Sequence, residues 1–208
     1  MSETCQSPCV LVGQPAPDFT APAVMPDNEI NATFNLKSYL KGSYGLVFFY
    51  PLDFTFVCPT ELIALDHRVD ELKKRGVEVL SVSIDSHFTH SAWRNTPIEK
   101  GGIGPVKYTM IADISHAIAK AYDVEKEGFP VAYRGTFLID TQGVVRHQVV
   151  NDLPLGRNFD ELLRIVDALQ FVEEHGEVCP AGWNKGQSGF SPNADGVASY
   201  LSANADKL

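Results

Sequence analysis

Apolar positions in the middle of the chain follow two different periods. A continuous apolar run over Gly45–Tyr50 predicts a strand buried on both faces, and Pro51 ends it. Aliphatic residues at helical spacing then predict one helix over Pro59–Arg75, and a β-branched run over Val77–Ile84 predicts a second strand. The helical positions are Leu62, Leu65, Val69 and Leu72. Because such crossovers are right-handed and return in the same direction, the two strands are expected to run parallel.

Shorter patterns fill the remainder. We predict helices over His87–Asn95, Ser115–Tyr122 and Phe159–His175. Asp113 or Ser115 would cap the second of these helices, and the third would begin after Asn158 and stop at Gly176. We also predict a strand over Tyr108–Ala112 and a hairpin of Thr136–Asp140 and Val144–Val150. Residues 1–36 are expected to form a segment that covers the domain. The expected fold is α/β, with a mixed central sheet and helices on both faces. Residues 1–178 are expected to form this domain together with its N-terminal extension, and residues 179–208 are expected to form a C-terminal tail.

Composition and charge narrow the class of protein. The 208 residues have 44% hydrophobic and 21% charged positions, which is typical of a globular domain. The net charge of -9 disfavours nucleic acid and anionic membranes as partners. No apolar run approaches the roughly 18 residues of a membrane helix, and the first residues resemble no secretory or transit signal. We therefore expect a cytoplasmic protein with neither a nucleic-acid nor a membrane partner.

Cys58 lies where the first buried strand gives way to the Pro59 helix. The free N–H groups of a first helical turn carry partial positive charge, which favours a thiolate. Thr55 could direct its hydroxyl over the sulfur, and Pro51 and Pro59 would fix the ends of the loop and withhold donors. A buried, inert thiol is the commoner fate of a lone cysteine, so both interpretations remain open at this point.

The cysteine pattern excludes one familiar mechanism. A thioredoxin-type oxidoreductase would carry Cys-x-x-Cys at this junction, but the nearest other cysteine in the sequence is Cys9. Cys5 and Cys9 form a pair without further ligands, so spare thiols are favoured over a metal site. His87 and His90 also lack a third ligand and are interpreted as polar positions on a helix.

The sequence resembles the typical two-cysteine peroxiredoxins, the alkyl hydroperoxide reductase C or thioredoxin peroxidase family. Pro51, Thr55 and Cys58 match its Pro-x-x-x-Thr-x-x-Cys motif, and residues 175–183 (HGEVCPAGW) match the segment around its second cysteine. Residues 86–93, 133–140 and 151–157 also match. The resemblance implies a thioredoxin-like fold and reduction of hydrogen peroxide and organic hydroperoxides without metal, haem or flavin.

The resemblance also implies roles for single residues. Cys58 would attack the peroxide and become a sulfenic acid, and Arg134 would hold the thiolate and the peroxide oxygen. Glu61 would orient the active-site arginines, with Arg157 a weaker candidate for the second of them. Arg134 could instead form a surface salt bridge, and Glu61 could simply favour the helix dipole.

Cys179 would be the resolving cysteine by the same resemblance. It would form a disulfide with Cys58 of the other subunit of a homodimer, and thioredoxin or a similar dithiol would reduce that bond. A free tail thiol is the alternative for Cys179. Assembly of dimers into a decamer is implied as well, and a non-enzymatic redox relay or chaperone-like oligomer is the competing function.

Further expectations concern sensitivity to over-oxidation and the aromatic residues near the pocket. Gly101–Gly104 (GGIG) matches the loop of members that peroxide over-oxidises, but Tyr200-Leu201 stands where those members carry Tyr-Phe, so we expect intermediate sensitivity. Trp93 and the pair Phe54 and Phe56 are expected to pack around the pocket.

Overall fold

The computed structural model describes residues 10–208, so the predictions for Cys5 and Cys9 lie outside the described residues. The chain divides into two compact units, Met1–Arg157 and Asn158–Leu208. The division at residue 178 that the sequence suggests, between a main domain and a resolving tail, stays a prediction. In the part of the chain that is described, no helix is both long and apolar enough to cross a bilayer.

Within residues 10–157, the first unit is built on a seven-stranded mixed sheet with the order β2-β1-β5-β4-β3-β6-β7. Its strands are β1 (Thr20–Val24), β2 (Ile30–Asn35), β3 (Tyr44–Phe49), β4 (Val77–Ser83), β5 (Thr109–Ala112), β6 (Arg134–Ile139) and β7 (Val145–Asn151). Its helices are α1 (Leu36–Leu40), α2 (Cys58–Asp66), α3 (Val69–Lys74), α4 (His87–Asn95) and α5 (Ala117–Ala121), with a 3₁₀ turn at Ile98–Lys100.

The central strands confirm the predicted crossover. β3 runs parallel to β4, and β4 runs parallel to β5. β6 pairs antiparallel with both β3 and β7, which confirms the predicted hairpin. Alternate residues of β3 point to opposite faces, yet all of Leu46–Phe49 are fully buried, as a continuous apolar run requires. The sheet therefore presents the end of β3, and the loop after it, as a fixed platform.

The predicted helix over Pro59–Arg75 is wrong in one respect, because it is two helices. α2 ends at Asp66 and α3 starts at Val69. Between them the amide of Arg68 bonds the carbonyl of Leu65, a tighter i to i−3 turn, and the Arg68 guanidinium also caps the carbonyl of Ala64. The predicted apolar face nevertheless remains buried through both helices.

Two strands appear where the sequence predicted only covering chain. β1 and β2 extend the sheet, and α1 follows them directly. The register of β1 shifts between Ala21 and Ala23, where Pro22 supplies no N–H to the ladder. Proline in this strand hid it from a sequence pattern, since Pro in a run of residues argues against a strand.

The second unit contains α6 (Phe159–His175), α7 (Ala194–Asn204) and a closing 3₁₀ turn (Ala205–Lys207). The bounds, N-cap and stop of α6 match the prediction: Asn158 Oδ1 accepts from the amides of Asp160 and Glu161, and Gly176 adopts a left-handed conformation. α7 was not predicted, because few large apolar residues mark its face. Its N-cap is Asn193.

Candidate active site

Cys58 is placed by the end of β3 and the start of α2. Tyr50 continues the ladder by donating its amide to Val82, and the chain then turns through Pro51 before α2 begins at Cys58. Pro59 occupies the first helical turn, where its missing N–H costs nothing. Cys58 is 1% exposed and is a free thiol. The strand-to-helix junction therefore holds the sulfur at a helix N-terminus, as predicted.

Arg134, the first residue of β6, reaches the sulfur. Its Nη1 lies 3.6 Å from Cys58 Sγ and donates to Glu61 Oε2 at 2.6 Å. Its Nε donates to the carbonyl oxygen of Leu153 at 2.7 Å. The residue is only 3% exposed, so the alternative of a surface salt bridge does not apply.

Glu61 joins Arg134 to a second arginine. Arg157 Nε and Nη2 each lie 2.9 Å from a Glu61 carboxylate oxygen, and the Arg157 amide donates to the same carboxylate. Arg157 Nη1 also donates to Gly135 and Thr136, and the guanidinium stacks 3.6 Å above the centroid of the Phe48 ring. Glu61 and Arg157 are thus brought together as the resemblance implied.

The electrostatics of this arginine cluster leave a surplus positive charge. Burial alone would raise the pKa of Glu61, but the hydrogen bonds and charge of Arg157, and then the charge of Arg134, hold the pKa below its usual range. Burial lowers the pKa of Arg157, and Glu61 opposes that effect. With Glu61 ionised, two guanidinium groups face one carboxylate, so the pocket favours an anion at the sulfur or at an oxygen beside it.

Thr55 and Pro51 precede Cys58 in the loop between β3 and α2. Thr55 is half-buried, and its hydroxyl donates to the carbonyl of Leu52 at 2.9 Å. That bond leaves the hydroxyl oxygen free to accept. Pro51 is buried and begins the loop. The role of the Thr55 hydroxyl over the sulfur stays a prediction.

A buried polar network beneath the loop was missed by the sequence. His90 is fully buried, and its Nδ1 lies 2.8 Å from Asp53 Oδ2, while the Tyr50 hydroxyl donates to Asp53 Oδ1 at 2.6 Å. Asp85 accepts from the amide of Asp53 and from the Ser83 hydroxyl. Burial, followed by the charge of Asp53, raises the pKa of both Tyr50 and Asp85. His90 is therefore a buried hydrogen-bonding residue that supports the loop before Cys58, which corrects its interpretation as a plain polar position on a helix.

The aromatic expectations are met only in part. Trp93 is fully buried as predicted, and its ring packs 5.6 Å from that of Phe54. Phe54 itself is 50% exposed and Phe56 is 92% exposed, so the expectation that the pair packs around the pocket is wrong for Phe56. The backbone turns two residues before Phe56, where Phe54 lies in the left-handed region at φ 53°.

Trp93 also anchors the glycine-rich loop at Gly101–Gly104. Its Nε1 donates to the carbonyl of Gly101 at 2.8 Å, and Gly101 has φ 83°. A Cβ on Gly102 would lie 1.8 Å from the carbonyl oxygen of Thr96, so that position accepts glycine alone.

Cys179 belongs to the second unit. Its thiol lies 3.7 Å from the carbonyl oxygen of Ala168 in α6, and burial raises the pKa of the thiol despite the opposing charge of Arg164. The turn that follows is fixed by Trp183, which is 2% exposed and accepts a hydrogen bond from Arg164 Nη1 at its carbonyl. Among residues 10–208, Cys58 and Cys179 are the free cysteines, and no three potential ligands of the types His, Cys, Asp and Glu gather into a metal site.

The fold and the site together define a cysteine-based redox protein. The AhpC/TSA family model matches residues 12–148, and a model described as the C-terminal domain of 1-Cys peroxiredoxin matches residues 168–203. Alkyl hydroperoxide reductase C of Helicobacter pylori (strain ATCC 700392 / 26695) is 55% identical over 96% of this chain and its own full length. Peroxiredoxin-1 of Gallus gallus is 51% identical over 92% of this chain and 96% of its own.

Solved structures agree with these relatives. The reduced 2-Cys peroxiredoxin of Plasmodium vivax superposes with a TM-score of 0.90 at 49% identity, covering 93% of this chain and 99% of that one. The chain therefore belongs to the AhpC/TSA family, the peroxiredoxins, and is a thiol-dependent peroxidase with a thioredoxin-like fold. The resemblance seen in the sequence is confirmed.

Proposed function

We propose that Cys58 is the residue at which this chain reduces hydrogen peroxide and organic hydroperoxides. The thiolate attacks the terminal peroxide oxygen, an S–O bond forms as the O–O bond breaks, and the departing oxygen takes up a proton to leave as water or alcohol. The observation that carries this proposal is the placement of Arg134 Nη1 at 3.6 Å from a buried sulfur. From there it can stabilise negative charge as it grows on the departing oxygen.

The neighbouring residues have supporting roles in this proposal. The carboxylate of Glu61 binds both Arg134 and Arg157 and so fixes the position of each guanidinium relative to the other. Thr55 accepts a hydrogen bond from the peroxide and donates another when its hydroxyl turns from Leu52. Pro51 withholds a donor and limits water at the sulfur.

Cys179 resolves the sulfenic acid in the second half of the reaction. Its thiolate attacks the oxidised Cys58 sulfur, an S–S bond forms, and hydroxide leaves and is protonated to water. A dithiol such as thioredoxin then reduces the disulfide. Residues 179–208 serve as the resolving tail, and the partner cysteine comes from the second subunit of a homodimer.

Two exposed features support assembly. β7 lies at the edge of the described sheet, where a second copy can pair with it. Phe56 and Phe88 are 92% and 69% exposed, and they extend from two elements that meet at the contact of Phe54 with Trp93. Burial of these rings between dimers would give the decamer. A cytoplasmic location stays a prediction.

The test is steady peroxide consumption coupled to thioredoxin. Cys58→Ser should abolish turnover, whereas Cys179→Ser should oxidise once at Cys58 and then stop. Cys9→Ser, a thiol predicted to be spare, is the matched control and should turn over normally. Peroxide consumption that persists in Cys58→Ser would refute the proposal. Client protection by Cys58→Ser without any turnover in the unaltered protein would favour the chaperone-like alternative.

A further inference from the structure

The turn that follows β7 is closed by a side chain. β7 ends at Asn151, which lies opposite Arg134 in the sheet register. The chain then folds back, so that the Leu155 amide donates to the carbonyl of Asp152 at 3.1 Å. Asn151 Nδ2 in turn donates to the carbonyl of Leu155 at 3.1 Å. The Asn151 side chain thus ties the end of the turn to its beginning.

This closed turn aims one backbone carbonyl at the arginine cluster. The carbonyl oxygen of Leu153, at the centre of the turn, accepts from Arg134 Nε at 2.7 Å. A guanidinium is planar and rigid, so fixing Nε also fixes the direction of Nη1. Nη1 is the atom that contacts both Cys58 Sγ and Glu61. Glu61 therefore holds one edge of the guanidinium, and the turn holds the other.

The geometry points to Asn151 as a positioning residue for the peroxidase reaction. It keeps the turn over residues 151–155 in the shape in which the Leu153 carbonyl directs Arg134 toward the Cys58 sulfur. The inference rests on the proposed function, because it concerns the alignment of Arg134 with a peroxide bound at Cys58. Small displacements of a preorganised donor reduce the rate of a chemical step even when the fold is unchanged.

Two single-turnover rates on the reduced full-length protein test this inference. The first is oxidation by hydrogen peroxide, followed by tryptophan fluorescence, and the second is alkylation of Cys58 by iodoacetamide. Asn151→Ala should slow oxidation by about threefold to tenfold, because a donor to the breaking O–O bond is misaligned. Alkylation breaks no O–O bond, so when both rates are compared at alkaline pH, where thiols ionise without help from a neighbouring cation, it should stay within about twofold of the unaltered rate.

The controls separate the turn from general effects of an amide deletion. Asn95→Ala removes a similar exposed bond, from Asn95 Nδ2 to the Ser91 carbonyl at 2.8 Å, and should leave both rates unchanged. Pro154→Gly loosens the same turn without removing the Asn151 amide and should slow oxidation selectively. In an Arg134→Lys background, Asn151→Ala should change oxidation by less than about 1.5-fold, since residues that act through one another are not additive.

The outcomes distinguish this inference from the proposed function. Unchanged oxidation in both Asn151→Ala and Pro154→Gly would overturn the positioning role, as would an equal fall in oxidation and alkylation. A full effect of Asn151→Ala in the Arg134→Lys background would show that the turn does not act through Arg134. In contrast, a peroxide response that persists in Cys58→Ser would refute the proposed function itself.

Discussion

Glu61 is the residue on which the arginine cluster depends most directly. Its two oxygens accept from Arg134 and Arg157, and all three side chains are nearly inaccessible to water. Two buried cations next to each other repel strongly unless a charge of opposite sign lies between them. The carboxylate therefore aligns Arg134 and also makes it possible to bury both guanidinium groups.

We expect Glu61→Gln to lower both activity and stability. The amide keeps the shape but removes the charge, so the free energy of unfolding at neutral pH should fall by about 3 kcal/mol. Peroxide oxidation of Cys58 should slow by roughly tenfold or more as Arg134 loses its alignment. Urea unfolding and single-turnover oxidation measure the two effects. Glu71→Gln removes an exposed carboxylate paired with Lys74 and Arg75 and should change neither appreciably.

The same carboxylate gives a pH dependence with a definite sign. Because the folded pKa of Glu61 is lower than the unfolded one, its contribution is present above the unfolded value and is lost as pH falls through the folded value. The stability difference between the unaltered protein and Glu61→Gln should therefore shrink in acid. A difference that grows on acidification would contradict this assignment.

Sequence could identify some of these residues and not others. The local pattern predicted that Cys58 lies at a strand-to-helix junction, and the family resemblance pointed to both Cys58 and Glu61. The Leu153 carbonyl carries no side-chain signal, and its contact with Arg134 exists only because β6 and β7 pair in one register. His90 was hidden for a related reason, since its partner Asp53 comes from a loop 37 residues earlier in the chain.

At the scale of elements, strong periodicity was predicted well and mixed signals were not. β3, β4 and α6 have the bounds expected within a residue, because each buries a continuous or regularly spaced apolar set. α4 also has the predicted bounds, although it buries His90 and Arg94 beside Trp93. The break between α2 and α3 carries no Gly or Pro, so no local signal marked it. α7 lies in a segment of small and polar residues and gave no apolar face to detect.

Burial and the charge of Arg164 in α6 act in opposite directions on the pKa of Cys179, which leads to a prediction for the resolving step. Burial raises the pKa of this thiol, so its thiolate is scarce at neutral pH and increases as the solution becomes alkaline. Disulfide formation after Cys58 oxidation should accelerate from neutral toward alkaline pH. Arg164→Gln should move that rise to still higher pH, because the guanidinium is the charge that opposes the effect of burial.

Rapid mixing followed by acid quench and non-reducing electrophoresis measures this rise. Lys185→Gln is the control, since it removes a cation of the same unit that pairs with Asp167. Its pH profile should match that of the unaltered protein. A resolving rate that is flat with pH, or an equal shift in both variants, would show that thiol ionisation at Cys179 does not limit the step.

At the scale of the whole molecule, the exposed rings beside the site are the feature that a lone chain does not explain. Phe56 is 92% exposed on the loop that precedes Cys58, and Phe88 is 69% exposed on α4. Fully burying a side chain of this size yields about 1.5 to 3 kcal/mol, so leaving both in water is unfavourable unless a partner covers them. The proposed decamer would bury them at the contacts between dimers.

Phe56→Asp tests this arrangement by placing a charge in the proposed contact. We expect sedimentation velocity to show dimers in place of decamers, because an unpaired carboxylate resists burial at each dimer-to-dimer interface. Phe129→Asp alters another aromatic ring, 52% exposed, and should leave the assembly intact. Persistence of decamers in Phe56→Asp would exclude this face, whereas a fall to monomers would show that the same ring also supports the dimer, for which β7 is the proposed contact. Since the loop that carries Phe56 also carries Thr55, the loss of the ring should lower the oxidation rate of Cys58 together with the size of the particle.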